Sequence, residues 1–157
     1  MADQFTTPVA FIIINRPETT KKVFDQIRKV RSQKLIIVAD GPRTNEHDDI
    51  EKCTRFRTVV ESIDWECQIY QNFASENMGG GLRPATGISL AFEHIDRAII
   101  LEDDCMPAFS FFHFCDELLE NYANDGRIMH ISGDNFLSPK KDGKYSLQFS
   151  MYSINWG

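Results

Sequence analysis

Apolar residues in this chain form short continuous runs, separated by longer segments in which they recur at helical spacing. PVAFIII (Pro8 to Ile14) and KLIIVA (Lys34 to Ala39) contain almost no polar residue, which is typical of strands covered on both faces of a parallel sheet. Further strands are predicted at CQIYQNF (67–73), RAIIL (97–101) and RIMHIS (127–132), with a more exposed one at YSLQFSMYS (145–153).

Amphipathic segments fill the intervals between these runs. Pro17 suits the first turn of a helix, and Val23, Phe24, Ile27 and Val30 follow at helical spacing. Three more helices are predicted within NEHDDIEKCTRFRTVVESI, GISLAFEHI and FSFFHFCDELLENYAND. Strands that alternate with helices predict an α/β domain with a doubly wound, mainly parallel sheet and right-handed crossovers. A length of 157 residues favours one domain over residues 1–157.

Composition narrows the possible partners and compartment. The net charge of −6 and the isoelectric point near 5.2 argue against a nucleic-acid partner, which requires a cationic face. No segment approaches the roughly 18 to 20 apolar residues of a membrane span, and the N-terminus lacks the features of a signal peptide, so we expect a cytoplasmic protein without a transmembrane segment. The four cysteines lack zinc-site spacing and are expected to be free thiols, with pairing of Cys53 and Cys67 left open.

Polar groups follow every predicted parallel strand at its carboxyl end, where open α/β sheets bind ligands. In IILEDDCMP, Glu102 and Asp104 lie on one face of an extended strand and Asp103 on the other. Carboxylates of this kind are suitable ligands for Mg²⁺ or Mn²⁺. The alternatives are a helix cap and a solvated turn.

The polar residues at the other strand ends can likewise be interpreted either as structural or as ligand-binding. Asp40 is either a turn residue or an acceptor for a base or ribose, and Asn15 and Arg16 either cap the first helix or contact phosphate or base. Arg83, after the glycine-rich loop NMGGG, either reaches a phosphate or lies at the surface. This loop lacks the GK[ST] of a P-loop. Asp134 in SGDN is a general base, a carboxylate that binds the acceptor, or part of a polar turn.

Together, the NR pair, VADGPR, the glycine-rich loop leading into GISLAF, and IILEDDCMP resemble the nucleotide-sugar-binding half of a GT-A-type glycosyltransferase. The resemblance covers nearly the whole chain. It is strongest to bacterial family-2-like transferases, including hemolytic-protein-like ones, and more distant to the N-acetylglucosaminyltransferase I group. It implies a Rossmann-like nucleotide-diphospho-sugar transferase fold, as in enzymes of polysaccharide biosynthesis.

The resemblance also implies a donor, a cofactor and roles for individual residues. The triplet EDD stands where those enzymes carry a DxD-type motif, so Asp104 would ligate the Mn²⁺ or Mg²⁺ that bridges the nucleotide diphosphate of a sugar donor. Asp103 would lie near the ribose or donor sugar, and Asp40 would contact the base. The remaining nucleotide-sugar-binding positions are Asn15, Arg16, Asn77, Gly79, Arg83 and Glu102, and Asp134 is the candidate catalytic residue.

The resemblance implies an inverting transfer to an acceptor hydroxyl, on a carbohydrate or another molecule. The resembled enzymes continue beyond the position of SINWG, so the acceptor-binding region is expected beyond residue 157 and the 157-residue segment alone is expected to lack activity. Two alternatives stay open. A sugar-1-phosphate nucleotidyltransferase is disfavoured by NRPETT, which stands where such enzymes carry a glycine-rich basic loop. A non-catalytic nucleotide- or metal-binding module is the other.

Overall fold

A computed structural model describes residues 5–133, 147 and 149–152 of the chain. Four strands alternate with four helices in this part of the chain. In chain order the elements are β1 (Val9–Ile13), α1 (Pro17–Val30), β2 (Lys34–Ala39), α2 (Asp49–Glu61), β3 (Gln68–Phe73), α3 (Gly79–Ala91), β4 (Ile99–Glu102) and α4 (Phe109–Asn121).

All strand pairs are parallel, and the order across the sheet is β3-β2-β1-β4. Val9 is in register with Leu35 of β2 on one side and with Ile99 of β4 on the other. The chain therefore moves outward from β1 to β3 and then crosses back to add β4 beyond β1. This reversal makes the gap between the carboxyl ends of β1 and β4 the topological switch point, where doubly wound sheets bind ligands.

The sheet is covered on both faces, as the continuous apolar runs predicted. On one face Phe11, Ile13 and Ile37 pack in a core with side chains of α1, α2 and α4. On the other face Ile12 and Val38 pack against residues of α3 and the turn after it. Helices on opposite faces are what right-handed crossovers require when the strand order reverses.

Helix α3 packs closely against the sheet at one glycine. A Cβ atom added at Gly87 would lie 2.3 Å from Cγ1 of Val38, well inside van der Waals contact. Glycine at this position therefore permits the helix backbone to approach β2, and it fixes the height of α3 above the sheet.

The sequence-based fold class is confirmed, but one predicted strand is wrong. Residues 127–132 form a turn and irregular backbone instead of a fifth strand. The Asp125 side chain accepts a hydrogen bond from the Arg127 backbone N–H at 3.1 Å, and Ile128 N–H donates to the Asp125 carbonyl at 2.9 Å. These local bonds occupy the N–H groups that would begin a ladder, and Met129 is 93% exposed.

Two further sequence-based predictions concern residues that the structure describes only in part or not at all. The predicted strand at 145–153 lies largely outside the described residues, and the described positions 147 and 149–152 are not in a strand. All four cysteines are described, and none forms a disulfide bond with another described residue, so Cys53 and Cys67 are not paired. None of the helices in the described segments is long and apolar enough to cross a membrane.

Candidate functional site

The switch point between β1 and β4 is closed by contacts between the segments that follow these two strands. The Ile14 backbone N–H donates to Asp103 Oδ2 at 2.9 Å, which extends the contact between the strands by one residue past the ladder. Arg16 Nη1 donates to Asp103 Oδ1 at 2.9 Å. Two segments that are 87 residues apart in sequence are thereby joined through one carboxylate.

The carboxylates of the acidic triplet differ in their surroundings. Asp103 is fully buried, and burial raises its pKa despite the opposing hydrogen bond from Ile14 and the charge of Arg16. Burial also raises the pKa of Glu102, and the neighbouring charges of Asp104 and Asp103 add to this effect. Asp104 is the accessible member of the triplet, with 41% of its side chain exposed.

Arg16 forms ion pairs with two acids of this triplet. The same Nη1 atom that binds Asp103 lies 2.6 Å from Asp104 Oδ2, while half of the Arg16 side chain faces solvent. Arg16 occupies the N-cap position of α1 without making a side-chain cap hydrogen bond. Its backbone carbonyl accepts hydrogen bonds from the Thr20 N–H and hydroxyl at 2.8 and 2.7 Å. The backbone of Arg16 is thus fixed, and its guanidinium extends over the acids.

Asp40 lies at the carboxyl end of β2 and is completely buried. Its Oδ1 accepts hydrogen bonds from the backbone N–H groups of Gly41 and Met78 at 2.9 and 2.8 Å. Its Oδ2 accepts from the Asn77 side chain and the Gly79 N–H at 2.9 and 3.0 Å. Since a carboxylate has about four acceptor positions, all of them are occupied. Asp40 therefore anchors the start of α3, which leaves no acceptor position for a base.

Asn77 lies in the loop before α3, and Gly79 is the first residue of that helix, so the three glycines predicted to lie in a loop form the start of α3 instead. Gly79 has a φ of 79°, a left-handed conformation that favours glycine, and it begins α3. Glu76 backbone atoms lie so close to Gly41 that an added Cβ would be 2.5 Å away. The loop before α3 is thus held against the end of β2 by close packing as well as by hydrogen bonds.

Arg83 points into the protein and not toward a ligand at the sheet edge. It is 4% exposed, and its Nε donates to the Ala39 carbonyl at 3.0 Å. Its Nη2 donates to the Asn72 backbone carbonyl and, at 2.6 Å, to Asn72 Oδ1. Burial lowers the pKa of this guanidinium. Arg83 joins α3 to the ends of β2 and β3, so the alternative that it lies at the surface is wrong.

Asp49, the first residue of α2, is a buried acid that sequence reasoning missed. It accepts hydrogen bonds from Asn15 Nδ2 at 2.7 Å and from Arg43 Nε at 2.7 Å, and the Arg43 hydrogen bond holds the pKa of Asp49 well below its usual range. The sequence signal was weak, because Asp49 stands among several charged residues and its partner Asn15 is 34 positions away.

Asn15 therefore does not cap α1 with its side chain. Its amide nitrogen is used by Asp49, and its Oδ1 is buried without a hydrogen-bond partner in the described part of the chain. The two side chains after β1 therefore contact different parts of the fold: Asn15 contacts α2, and Arg16 contacts the segment after β4.

A cavity of about 500 Å³ adjoins the triplet beyond β4. Its walls are mainly apolar, including Leu101, Met106, Phe111 and Phe114, with Cys105 and Gly133 at its margin. A Cβ added at Gly133 would lie 2.4 Å from the Phe111 ring, so the backbone is packed closely against α4 there. Asp134, the candidate catalytic residue, is the next residue and lies outside the described residues.

The triplet fits a divalent cation that takes most of its ligands from elsewhere. Within the described residues, no three histidine, cysteine or acidic side chains converge to hold a metal ion by themselves. Mg²⁺ in nucleotide-binding sites commonly takes one or two carboxylates, with phosphates and water supplying the rest. Asp104, which is accessible and lies at the switch point, meets that requirement.

The structure thus brings together only some of the predicted site residues. Arg16, Glu102, Asp103 and Asp104 meet at the switch point, and Asn15 lies beside them. Asp40, Asn77, Gly79 and Arg83 hold the start of α3 against the sheet.

Comparison with models of known protein families found no family that matches this chain, and comparison with curated proteins likewise found no match.

Proposed function

We propose that this chain is the nucleotide-sugar-binding domain of a metal-dependent GT-A-type glycosyltransferase, which transfers a sugar from a nucleotide-diphosphate donor to an acceptor hydroxyl. The observation that carries the proposal is the pair formed by Arg16 and the accessible Asp104 at the topological switch point. A cationic side chain beside an accessible carboxylate suits a diphosphate that binds together with a divalent cation. The sequence resemblance supplies the reaction class.

Three described residues, and Asp134 outside the described residues, have distinct parts in this proposal. Asp104 would hold Mn²⁺ or Mg²⁺, which when bound supplies Lewis-acid stabilisation of the departing diphosphate. Arg16 has further guanidinium N–H groups to donate to a phosphate oxygen. Asp103, fixed by the Ile14 N–H, orients Arg16. Removal of the proton from the attacking hydroxyl is assigned to Asp134.

Calorimetric titration with UDP and GDP, each with and without Mn²⁺, tests the binding step. We expect metal-dependent binding of one of these nucleotides, weakened by at least about tenfold in Asp104→Asn. Asp64→Asn removes the same charge from an exposed position between α2 and β3, at the opposite edge of the sheet, and should bind as wild type does. Binding that needs no metal, or equal binding by Asp104→Asn, would contradict the proposal.

Turnover separates the transferase from its alternatives. A glycosyltransferase releases a nucleoside diphosphate from a nucleotide sugar when an acceptor alcohol is supplied. A nucleotidyltransferase instead releases pyrophosphate from a nucleoside triphosphate and a sugar phosphate. If the full-length protein binds nucleotide but turns over no donor, the chain is a nucleotide-binding module.

A further inference from the structure

One nitrogen of Arg16 bridges two carboxylates of the triplet. Nη1 lies 2.9 Å from Asp103 Oδ1 and 2.6 Å from Asp104 Oδ2. A cation that binds Asp104 must therefore compete with a cation that the chain itself supplies. The guanidinium supplies a positive charge to the same carboxylate that would hold a metal ion.

The two contacts of Arg16 differ in how firmly they are held. Asp103 is fully buried, accepts a second hydrogen bond from Ile14, and would be left as an uncompensated buried charge if Arg16 moved away. Asp104 and Arg16 are each about half exposed, and ion pairs of this kind contribute little to stability. The contact with Asp104 is therefore the one that breaks at small cost.

We propose that Arg16 acts as an exchangeable counter-ion, which covers Asp104 in the free protein and releases it when a diphosphate binds. This inference rests on the proposed function. The phosphate oxygens attract the guanidinium while Asp103 keeps it at the sheet edge, and Asp104 then becomes available to the divalent cation. Nucleotide and metal thus bind with positive coupling, and by linkage each raises the affinity for the other by the same factor. Arg16 is a positioning residue in this scheme.

The competition can be measured with Mn²⁺ alone, without nucleotide, from the electron paramagnetic resonance signal of free Mn²⁺. Arg16→Gln should bind Mn²⁺ about twofold to fivefold more tightly than wild type, because an exposed ion pair no longer has to be broken. The same variant should bind the nucleoside diphosphate more weakly. Arg127→Gln is the matched control, since it removes an arginine from an exposed pair with Asp125 beyond the end of α4, and should leave Mn²⁺ binding unchanged.

A second pair of variants covers the risk that Arg16→Gln does not fold, since it leaves Asp103 buried without its cation. Asp103→Asn removes this charge, so that Arg16 keeps only one charged partner, Asp104. Comparing Asp103→Asn with the double variant Arg16→Gln/Asp103→Asn therefore measures the effect of losing the ion pair with Asp104. The double variant should again bind Mn²⁺ more tightly. Equal or weaker Mn²⁺ binding on loss of Arg16 would overturn the inference.

The two proposals fail in different ways. If no nucleotide binds but loss of Arg16 tightens Mn²⁺ binding, the counter-ion exchange at Asp104 holds and the nucleotide function is lost. If nucleotide binding depends on metal but loss of Arg16 leaves Mn²⁺ binding unchanged, the proposed function stands and the exchange is refuted.

Discussion

Replacing Asp40 by asparagine removes one acceptor oxygen from a buried group in which each oxygen accepts two hydrogen bonds. The remaining oxygen satisfies two donors, and the new amide group faces the other two. A buried donor without a partner costs about 1–3 kcal/mol, which gives about 2–6 kcal/mol for two. If the new amide group of residue 40 faces Asn77 and Gly79, the Asn77 side chain still donates to the Gly41 carbonyl at 3.2 Å, and only the Gly79 N–H loses its sole acceptor. We therefore expect a loss near the lower half of this range, about 3 kcal/mol.

Thermal unfolding followed by circular dichroism tests this value. In a chain of this size a loss of about 1 kcal/mol lowers Tm by roughly 2–4 °C, so Asp40→Asn should melt about 6–12 °C below wild type. Hydrogen exchange of the Gly79 amide, which loses its acceptor in that orientation, should accelerate in the same variant. Asp64→Asn, at an exposed position, should stay within about 0.5 kcal/mol of wild type. An unchanged Tm for Asp40→Asn would refute the assignment of Asp40 as the anchor of α3.

Three further predictions concern packing, pH and thiol reactivity. Gly87→Ala should cost about 1–3 kcal/mol in urea unfolding, because the added Cβ would lie 2.3 Å from a side-chain carbon of β2, whereas Gly80→Ala has open space and should not destabilise. The Arg43 hydrogen bond is the main cause of the lowered pKa of Asp49, so the charged form of Asp49 stabilises the fold at pH values above its ordinary pKa of 3.8. The Tm difference between wild type and Asp49→Asn should therefore be constant from pH 7 to 5 and shrink as the pH falls through 3.8. A constant Tm difference down to pH 3 would contradict this prediction. Burial raises the pKa of Cys115 to about 12, so this thiol should not react with a disulfide reagent at pH 8 until the protein unfolds. Rapid labelling of Cys115 in the native state would show that α4 is not packed as described.

Local patterns were enough to predict most of the fold. The β-branched runs identified β1 and β2 because strands buried on both faces have no polar side to interrupt them. Val23, Phe24, Ile27 and Val30, the apolar positions chosen for the first helix, are all buried. RIMHIS failed because a short run with few apolar residues does not exclude a turn, and the turn at Asp125 competes for its backbone.

The site was harder to predict because strand order and side-chain direction depend on tertiary packing. The sequence placed Arg83 correctly at the start of α3, but the rotation of the helix decides whether that side chain faces a ligand or the protein interior. Asp40 was correctly placed at the end of β2, yet its four donors include three residues 37–39 positions further along, at the junction between the preceding loop and α3. No local pattern encodes the meeting of Arg16 with Asp103, since it requires β4 to cross beyond β1.

The crossing of β4 also has a kinetic consequence. Val9 and its partner Leu35 in β2 are 26 positions apart, whereas Val9 and its partner Ile99 in β4 are 90 positions apart. Closing the longer loop costs about 1 kcal/mol more in chain entropy. Folding should therefore pair β1 with β2 early and add β4 late, and pulse-labelling hydrogen exchange can follow this order through the amides of the two ladders. The switch-point acids come together only in that last step, so the half of the sheet formed first carries Arg16 without the carboxylates that it will balance.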